Sequence, residues 1–156
     1  MAGGDRQVVD ACREVMAAFC KTVTHVGGVG AGQTVKACNQ VAVAGALLGV
    51  ADAMALATAQ GVDPAVMRDV LLAGTARSFA LEKHGQRMIE GDVKPGFRAK
   101  LMRKDLGIAL RTAADAGTAL QSAPVAERLL GELVARGQGE LDWSAIGGLV
   151  REKKAG

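Results

Sequence analysis

Apolar positions recur along residues 5–20, DRQVVDACREVMAAFC, at the spacing of one helix face: Val8, Val9, Cys12, Val15, Met16 and Phe19. The pattern predicts an amphipathic helix, with Lys21 at the end where positive charge is favoured. Residues 22–26 (TVTHV) are the best strand candidate in the chain. No second convincing strand follows, and a lone strand cannot bury itself. After the glycine-rich stretch 27–32 (GGVGAG), residues 33–60 contain no Pro and no breaker cluster. They predict one long helix of roughly 28 residues, about 42 Å at 1.5 Å per residue. Within it Gly45, Gly49 and Ala53 follow one another at i+4, a stripe that lets another helix pack close.

The rest of the chain is punctuated helix. Gly61 is a C-cap candidate, Asp63 an N-cap, and Pro64 stands at the first position of a short helix over 64–73. A polar loop over 74–78 precedes a helix over 79–90 that ends at Gly91. Lys94-Pro95-Gly96 is a turn, followed by a helix over 98–116 with Leu101, Ile108, Leu110 and Ala113 on or near its apolar side. Ser122 to Pro124 begins the next helix, to about 135, and Gly137 and Gly139 mark a loop. Asp142 can cap a last helix over 143–152, and the tail 151–156 (REKKAG) reads as solvated. The expected fold class is all-α, a multi-helix domain built on one long central helix, with a stray helix–strand unit at its N-terminal edge.

Composition narrows the function classes. The 156 residues amount to about one domain. The chain is 49% apolar with 29 Ala, so its core must be made of Ala, Leu and Val on closely approaching helices. That fraction, with a net charge of only +3, excludes a disordered chain. No uninterrupted apolar run reaches membrane-spanning length, and the first residues lack the layout of a signal peptide. Three cysteines without a CxxC pair argue against a disulfide framework and fit a reducing, cytoplasmic setting. With four aromatics and mild positive charge, neither nucleic acid nor membrane is expected as a partner.

The most informative segment is GVGAGQTVKACNQ, residues 28–40. It is not a dinucleotide loop: Gly28 and Gly30 would require glycine where Gln33 stands, and no acidic residue follows in a later strand. Glycines before a long helix do leave its first amides open to a carboxylate or phosphate. Lys36 sits one turn in, with Asn39 and Gln40 at i+3 and i+4. A lysine near the positive helix end, partly buried, is biased toward the neutral amine and can exchange a proton with an alcohol or carbonyl oxygen. Asn39 or Gln40 could hold the substrate. On spacing alone, a solvated lysine beside a capping Asn is the commoner case. The second candidate is KPGFRAKLMRKDL, residues 94–106, where Lys104 shares a face with Leu101 and Ile108 and either snorkels or meets an anion. Ser78 is a substrate or capping residue. His25, in the strand, and His84, on a helix, have no partner at metal-ligand spacing, so no metal site is expected. Cys38 reads as a small buried residue.

The two segments together resemble the β-hydroxyacid dehydrogenase family, which includes 3-hydroxyisobutyrate dehydrogenase and tartronate semialdehyde (2-hydroxy-3-oxopropionate) reductase. The pattern Gly-x-Gly-x-x-x-Lys-x-x-Asn is met by Gly30, Gly32, Lys36 and Asn39, and the downstream Lys-Asp by Lys104-Asp105. The resemblance covers about residues 22–152 and implies a fold like the C-terminal domain of 6-phosphogluconate dehydrogenase. It implies Lys36 as catalytic acid/base, and Gly30, Gly32, Asn39, Gln40, Ser78 and Phe97 at the substrate. It implies Lys104 and Asp105 at an NAD or NADP cofactor held mainly by an N-terminal domain that this chain lacks. Residues 1–26 then read as the last helix and strand of that domain, and 27–156 as the substrate-binding and dimerisation domain. The substrate is a small hydroxyacid or semialdehyde, the assembly a homodimer or higher homo-oligomer, and the chain alone is expected to be inactive. The competing reading is a standalone helical dimerisation or interaction module, motivated by the Gly45/Gly49/Ala53 stripe.

Overall fold

The computed structural model describes residues 1–152. The end of the tail expected to be solvated, residues 153–156, lies outside the described residues. The predicted helix over 5–20 forms as two short helices, α1 (Arg6–Ala11) and α2 (Arg13–Ala17). Asp5 caps the first, accepting the N–H groups of Gln7 and Val8 at 2.8 and 3.2 Å. Arg13 binds Asp10 and donates to the Val23 carbonyl at 3.0 Å, tying the pair to the segment that follows. Val9 is buried, but Val8, Val15 and Phe19 are exposed, Phe19 by 75%.

Residues 22–26 do not form a strand. The segment is extended and makes a single parallel bridge, Ala2 with His25, through Ala2 N–H to Thr24 O (2.8 Å) and Val26 N–H to Ala2 O (2.9 Å). The backbone it pairs with is residues 1–4, where Gly4 N–H also bonds Gly27 O at 2.9 Å. Reading the sequence for apolar runs missed this partner, because Met1-Ala2-Gly3-Gly4 carries no alternation.

The predicted long helix is α3 (Ala31–Ala59), 29 residues. By overall length and composition it could also cross a membrane, although, as expected, no uninterrupted apolar run within it is of spanning length. Its apolar stretch is carried by Ala and Gly and interrupted only by charged Asp52 in its second half. In the fold it is the central helix. The helices that pack on it are α4 (Pro64–Leu72), capped by Asp63; a π-helical turn (Ala80–Gly85) leading into α5 (Gln86–Glu90); α6 (Ala99–Asp115); α7 (Ser122–Ala135); and a 3₁₀ turn (Trp143–Ala145) leading into α8 (Ile146–Glu152). The fully buried side chains Leu47, Leu81, Met102, Leu106, Leu130, Leu133 and Ile146 hold these helices together.

Three local expectations shift. The helix over 79–90 opens as the π-helical turn, whose Gly85 lies against α3: a Cβ there would stand 3.2 Å from Met54 Cε. The buried face of α6 is Ala99, Met102, Leu106 and Ala109, while Ile108 is exposed and Leu101, Leu110 and Ala113 are half-buried. In the small-residue stripe, Gly45 admits Ser122 of α7 at 3.2 Å from where its Cβ would be, but Gly49 faces open space.

Candidate active site

The start of α3 sets the geometry. Gly30, its N-cap, takes φ 89°, a left-handed conformation that glycine adopts without steric cost. The amides of Ala31, Gln33 and Thr34 bond to the carbonyls of Gly28 and Gly30, so fewer free donors remain than the glycine pattern implied. Gly32 permits the N-terminal segment to cross directly over the helix: a Cβ there would stand 3.2 Å from Met1 O and 3.3 Å from Gly3 N. Gly30 and Gly32 line, with Met1, Gly3, Gln33 and Lys36, a recess of about 400 Å³ beneath that crossing.

Lys36 stands where three hollows meet. It borders that recess, a groove shared with Gln40, Lys104 and Asp105, and a cleft of about 370 Å³. The side chain is exposed rather than partly buried. Among the described residues Lys36 has no hydrogen-bond or ion-pair partner. Cys38, expected to be buried, is exposed: it falls on the side of α3 that no other helix covers.

Asn39 and Gln40 do different things. Gln40 is only 5% exposed and its amide donates to Asp105 Oδ2 on α6 at 2.8 Å. Its carbonyl accepts from the exposed Asn39 at 3.1 Å. Lys104 Nζ lies 3.0 Å from the other oxygen of Asp105. The chain Lys104–Asp105–Gln40–Asn39 joins the two motif segments and fixes which way the Gln40 amide points. Gln40 lines the cleft; Asn39 and Lys104 do not.

The far side of the cleft comes from the π-helical turn, the loop before α6 and the 3₁₀ turn. Ser78, Phe97, His84 and Trp143 line it together with Lys36 and Gln40. Ser78 also serves the backbone, its Oγ accepting the Leu81 N–H at 3.1 Å. Asp142, with no exposed surface, organises this wall. One oxygen accepts the N–H groups of Gly96 (2.9 Å) and Phe97 (3.0 Å); the other accepts the Ser144 N–H (3.1 Å) and hydroxyl (2.7 Å). Arg87 Nη1 lies 3.3 Å from the first oxygen. Burial pushes the Asp142 carboxyl up, but hydrogen bonds from Phe97, Ser144 and Gly96 outweigh it and hold the group below its ordinary value. The sequence placed Asp142 as a helix cap, which its bonds to Ser144 confirm; its hold on the Phe97 loop, 45 positions away, left no signal.

His84, which the sequence places on a helix without a partner at metal-ligand spacing, is 8% exposed and sits edge-on to Phe79 and Trp143, 4.9 Å from the latter's centroid. Its Nδ1 is sealed from solvent without a hydrogen bond, 3.8 Å from Asp142 Oδ1. Burial lowers its pKa, against the opposing pull of Asp142. His25 is elsewhere, its Nε2 2.9 Å from Gly4 O. Among the described residues no three His, Cys, Asp or Glu side chains gather where one metal ion could sit.

The sequence profile described as "NAD-binding of NADP-dependent 3-hydroxyisobutyrate dehydrogenase" matches residues 30–150. The chain belongs to the 3-hydroxyisobutyrate dehydrogenase family. It is 38% identical over 146 residues to the 2-hydroxy-3-oxopropionate reductase of Escherichia coli strain K12, covering 94% of this chain and 50% of that protein. It is 30% identical over 161 residues to the mitochondrial 3-hydroxyisobutyrate dehydrogenase of Drosophila melanogaster, covering 99% and 50%. The fold matches a Mycobacterium tuberculosis 3-hydroxyisobutyrate dehydrogenase solved with L-serine at a TM-score of 0.89 and 29% identity, over 96% of this chain and 53% of that one. The chain thus spans about half the length of the curated relatives it matches. The matched family's description ties it to NAD and NADP. The groove between Lys36 and Lys104 offers cationic side chains, while a glycine-rich phosphate loop followed by an acidic ribose partner is not found among the described residues.

Proposed function

We propose that this chain supplies the lysine-bearing half of an NAD(P)-dependent hydroxyacid oxidoreductase acting on a small hydroxyacid or semialdehyde of the 3-hydroxyisobutyrate or 2-hydroxy-3-oxopropionate type. The observation that carries the reading is Lys36: an amine with no polar partner among the described residues, beside a cleft that also holds Gln40, Ser78 and Phe97. In the reductive direction Lys36 gives its proton to the carbonyl oxygen of the substrate, and in the oxidative direction the amine takes the hydroxyl proton back. The nicotinamide, when bound, supplies or accepts the hydride. Gln40, anchored by Asp105, presents a fixed amide to the substrate, with Asn39 behind it. Ser78 and Phe97 shape the space, and the backbone at Gly30 and Gly32 receives the acid group. Lys104 and Asp105 face the cofactor.

On this reading residues 1–26 complete a nucleotide-binding domain, and residues 27–156 bind substrate and carry the homo-oligomer contact. Exposure of Val8, Val15 and Phe19 supports the first part, and the open α3 surface at Gly49 and Leu56 supports the second. The test is twofold. The holoenzyme that carries this chain should reduce a 3-oxo acid with NADH or NADPH, and Lys36→Ala should remove that activity while the helical circular dichroism stays. This chain alone should bind NADH weakly; sub-micromolar affinity would contradict the division of labour.

A further inference from the structure

His84 is a buried titratable group that the chemistry above does not use. Its ring lines the same cleft as Lys36 and Gln40. Of its two nitrogens, Nδ1 is sealed and faces Asp142 Oδ1 at 3.8 Å, while Nε2 is neither sealed nor bonded to any described residue. A carboxylate on the Nδ1 side favours the tautomer with the proton there. Asp142 cannot swing closer, because its two oxygens hold Gly96, Phe97 and Ser144. The other charges nearby are Arg87, on the far oxygen of Asp142, and Lys83, whose Nζ lies over the Phe79 ring. Nε2 is left as a hydrogen-bond acceptor on a residue that lines the cleft beside Val43, Phe79, Met102 and Trp143, with Lys36, Gln40 and Ser78 as the cleft's other polar side chains.

Resting on the proposed function, we infer that His84 determines specificity: its Nε2 accepts a hydrogen bond from a hydroxyl or amino substituent at carbon 2 of the substrate, so the site favours 3-oxo acids with such a donor over those with methyl there. The cleft's other uncharged polar side chains are already engaged, the Ser78 hydroxyl with the Leu81 N–H and the Gln40 amide with Asp105 and Asn39. A site that hydrogen-bonds a substrate group discriminates against the analogue lacking it.

The holoenzyme is assayed with 2-hydroxy-3-oxopropionate and with 2-methyl-3-oxopropionate. His84→Phe should lower the ratio of kcat/KM, hydroxy over methyl, by about tenfold, the worth of one hydrogen bond. Equal loss on both acids marks a structural role and overturns the inference, as does an unchanged ratio. If the variant does not fold, ¹⁵N NMR of the wild-type imidazole decides. Nε2 should shift with 2,3-dihydroxypropanoate and not with 3-hydroxy-2-methylpropanoate, and equal shifts overturn the inference. A wild-type enzyme that turns over neither acid overturns the proposed function as well, whereas turnover with an unmoved ratio sinks only the role of His84.

Discussion

The carboxylate of Asp142 accepts the backbone N–H of Phe97 at 3.0 Å, so a residue at the start of the last helical segment holds the loop that enters α6. The same carboxylate is wholly buried and lies 3.3 Å from Arg87 Nη1. Asp142→Asn puts an amide donor where acceptors are needed. Removing one member of a buried hydrogen-bonded charge pair costs about 3 kcal/mol. Urea unfolding should show that loss, with increased amide exchange at Gly96 and Phe97.

Stability should fall on the acid side in two stages. His84 has its pKa depressed from 6.5, so its contribution is full above that value and is lost as pH drops through the lower folded value. Asp142 is depressed from 3.8, and its contribution disappears below that in the same way. Melting temperatures recorded from pH 8 to 3 should decline below pH 6.5, and His84→Phe should flatten the first decline. A melting temperature that rises between pH 6.5 and 5 would contradict the sign.

Lys36 touches no other described side chain through a polar contact, so Lys36→Ala should leave stability within about 0.5 kcal/mol. Turnover in the holoenzyme should drop on the order of a thousandfold if the amine is the general acid. Rapid-quench measurement of the chemical step separates this from slower product release.

Asp105 connects the two motif segments through Gln40. Asp105→Leu leaves the Gln40 amide buried without its acceptor, which costs about 1–3 kcal/mol. It also frees Gln40 and Asn39 to rotate, so KM should rise. A variant with unaltered KM would show that the amide orientation does not serve the substrate.

The two stripe glycines should respond oppositely. At Gly49 an added methyl meets open space, and Gly49→Ala should stabilise the folded chain by up to about 1 kcal/mol through helix propensity. At Gly45 the methyl lands 3.2 Å from the Ser122 hydroxyl and the start of α7 must yield, so Gly45→Ala should gain less or lose stability. Sedimentation of Gly49→Ala tests whether a second copy uses that face: weakened self-association would place the contact there.

Local chemistry was enough to outline the helices. The absence of breakers from 33 to 60 produces α3, Asp63-Pro64 starts α4 as caps of this type do, and Ser122 opens α7 where the pattern placed it. These signals act within a turn or two of chain, which is why they survive in one dimension. Lys36 and the Lys104-Asp105 pair were legible as motifs for the same reason. Helix continuity was harder to read: the 5–20 stripe breaks at Cys12, and the segment before α5 widens into a π turn. What remained hidden depends on partners far apart in the chain. The 22–26 segment pairs through a single bridge with Ala2, some twenty positions away, a pairing that no local alternation announces. Lys36 and Cys38 are exposed, and Ile108 faces outward, because burial depends on which helix arrives opposite. His84 became part of the cleft when Asp142 and Trp143 folded back against it from nearly sixty positions downstream, a juxtaposition that no helical period or cap encodes.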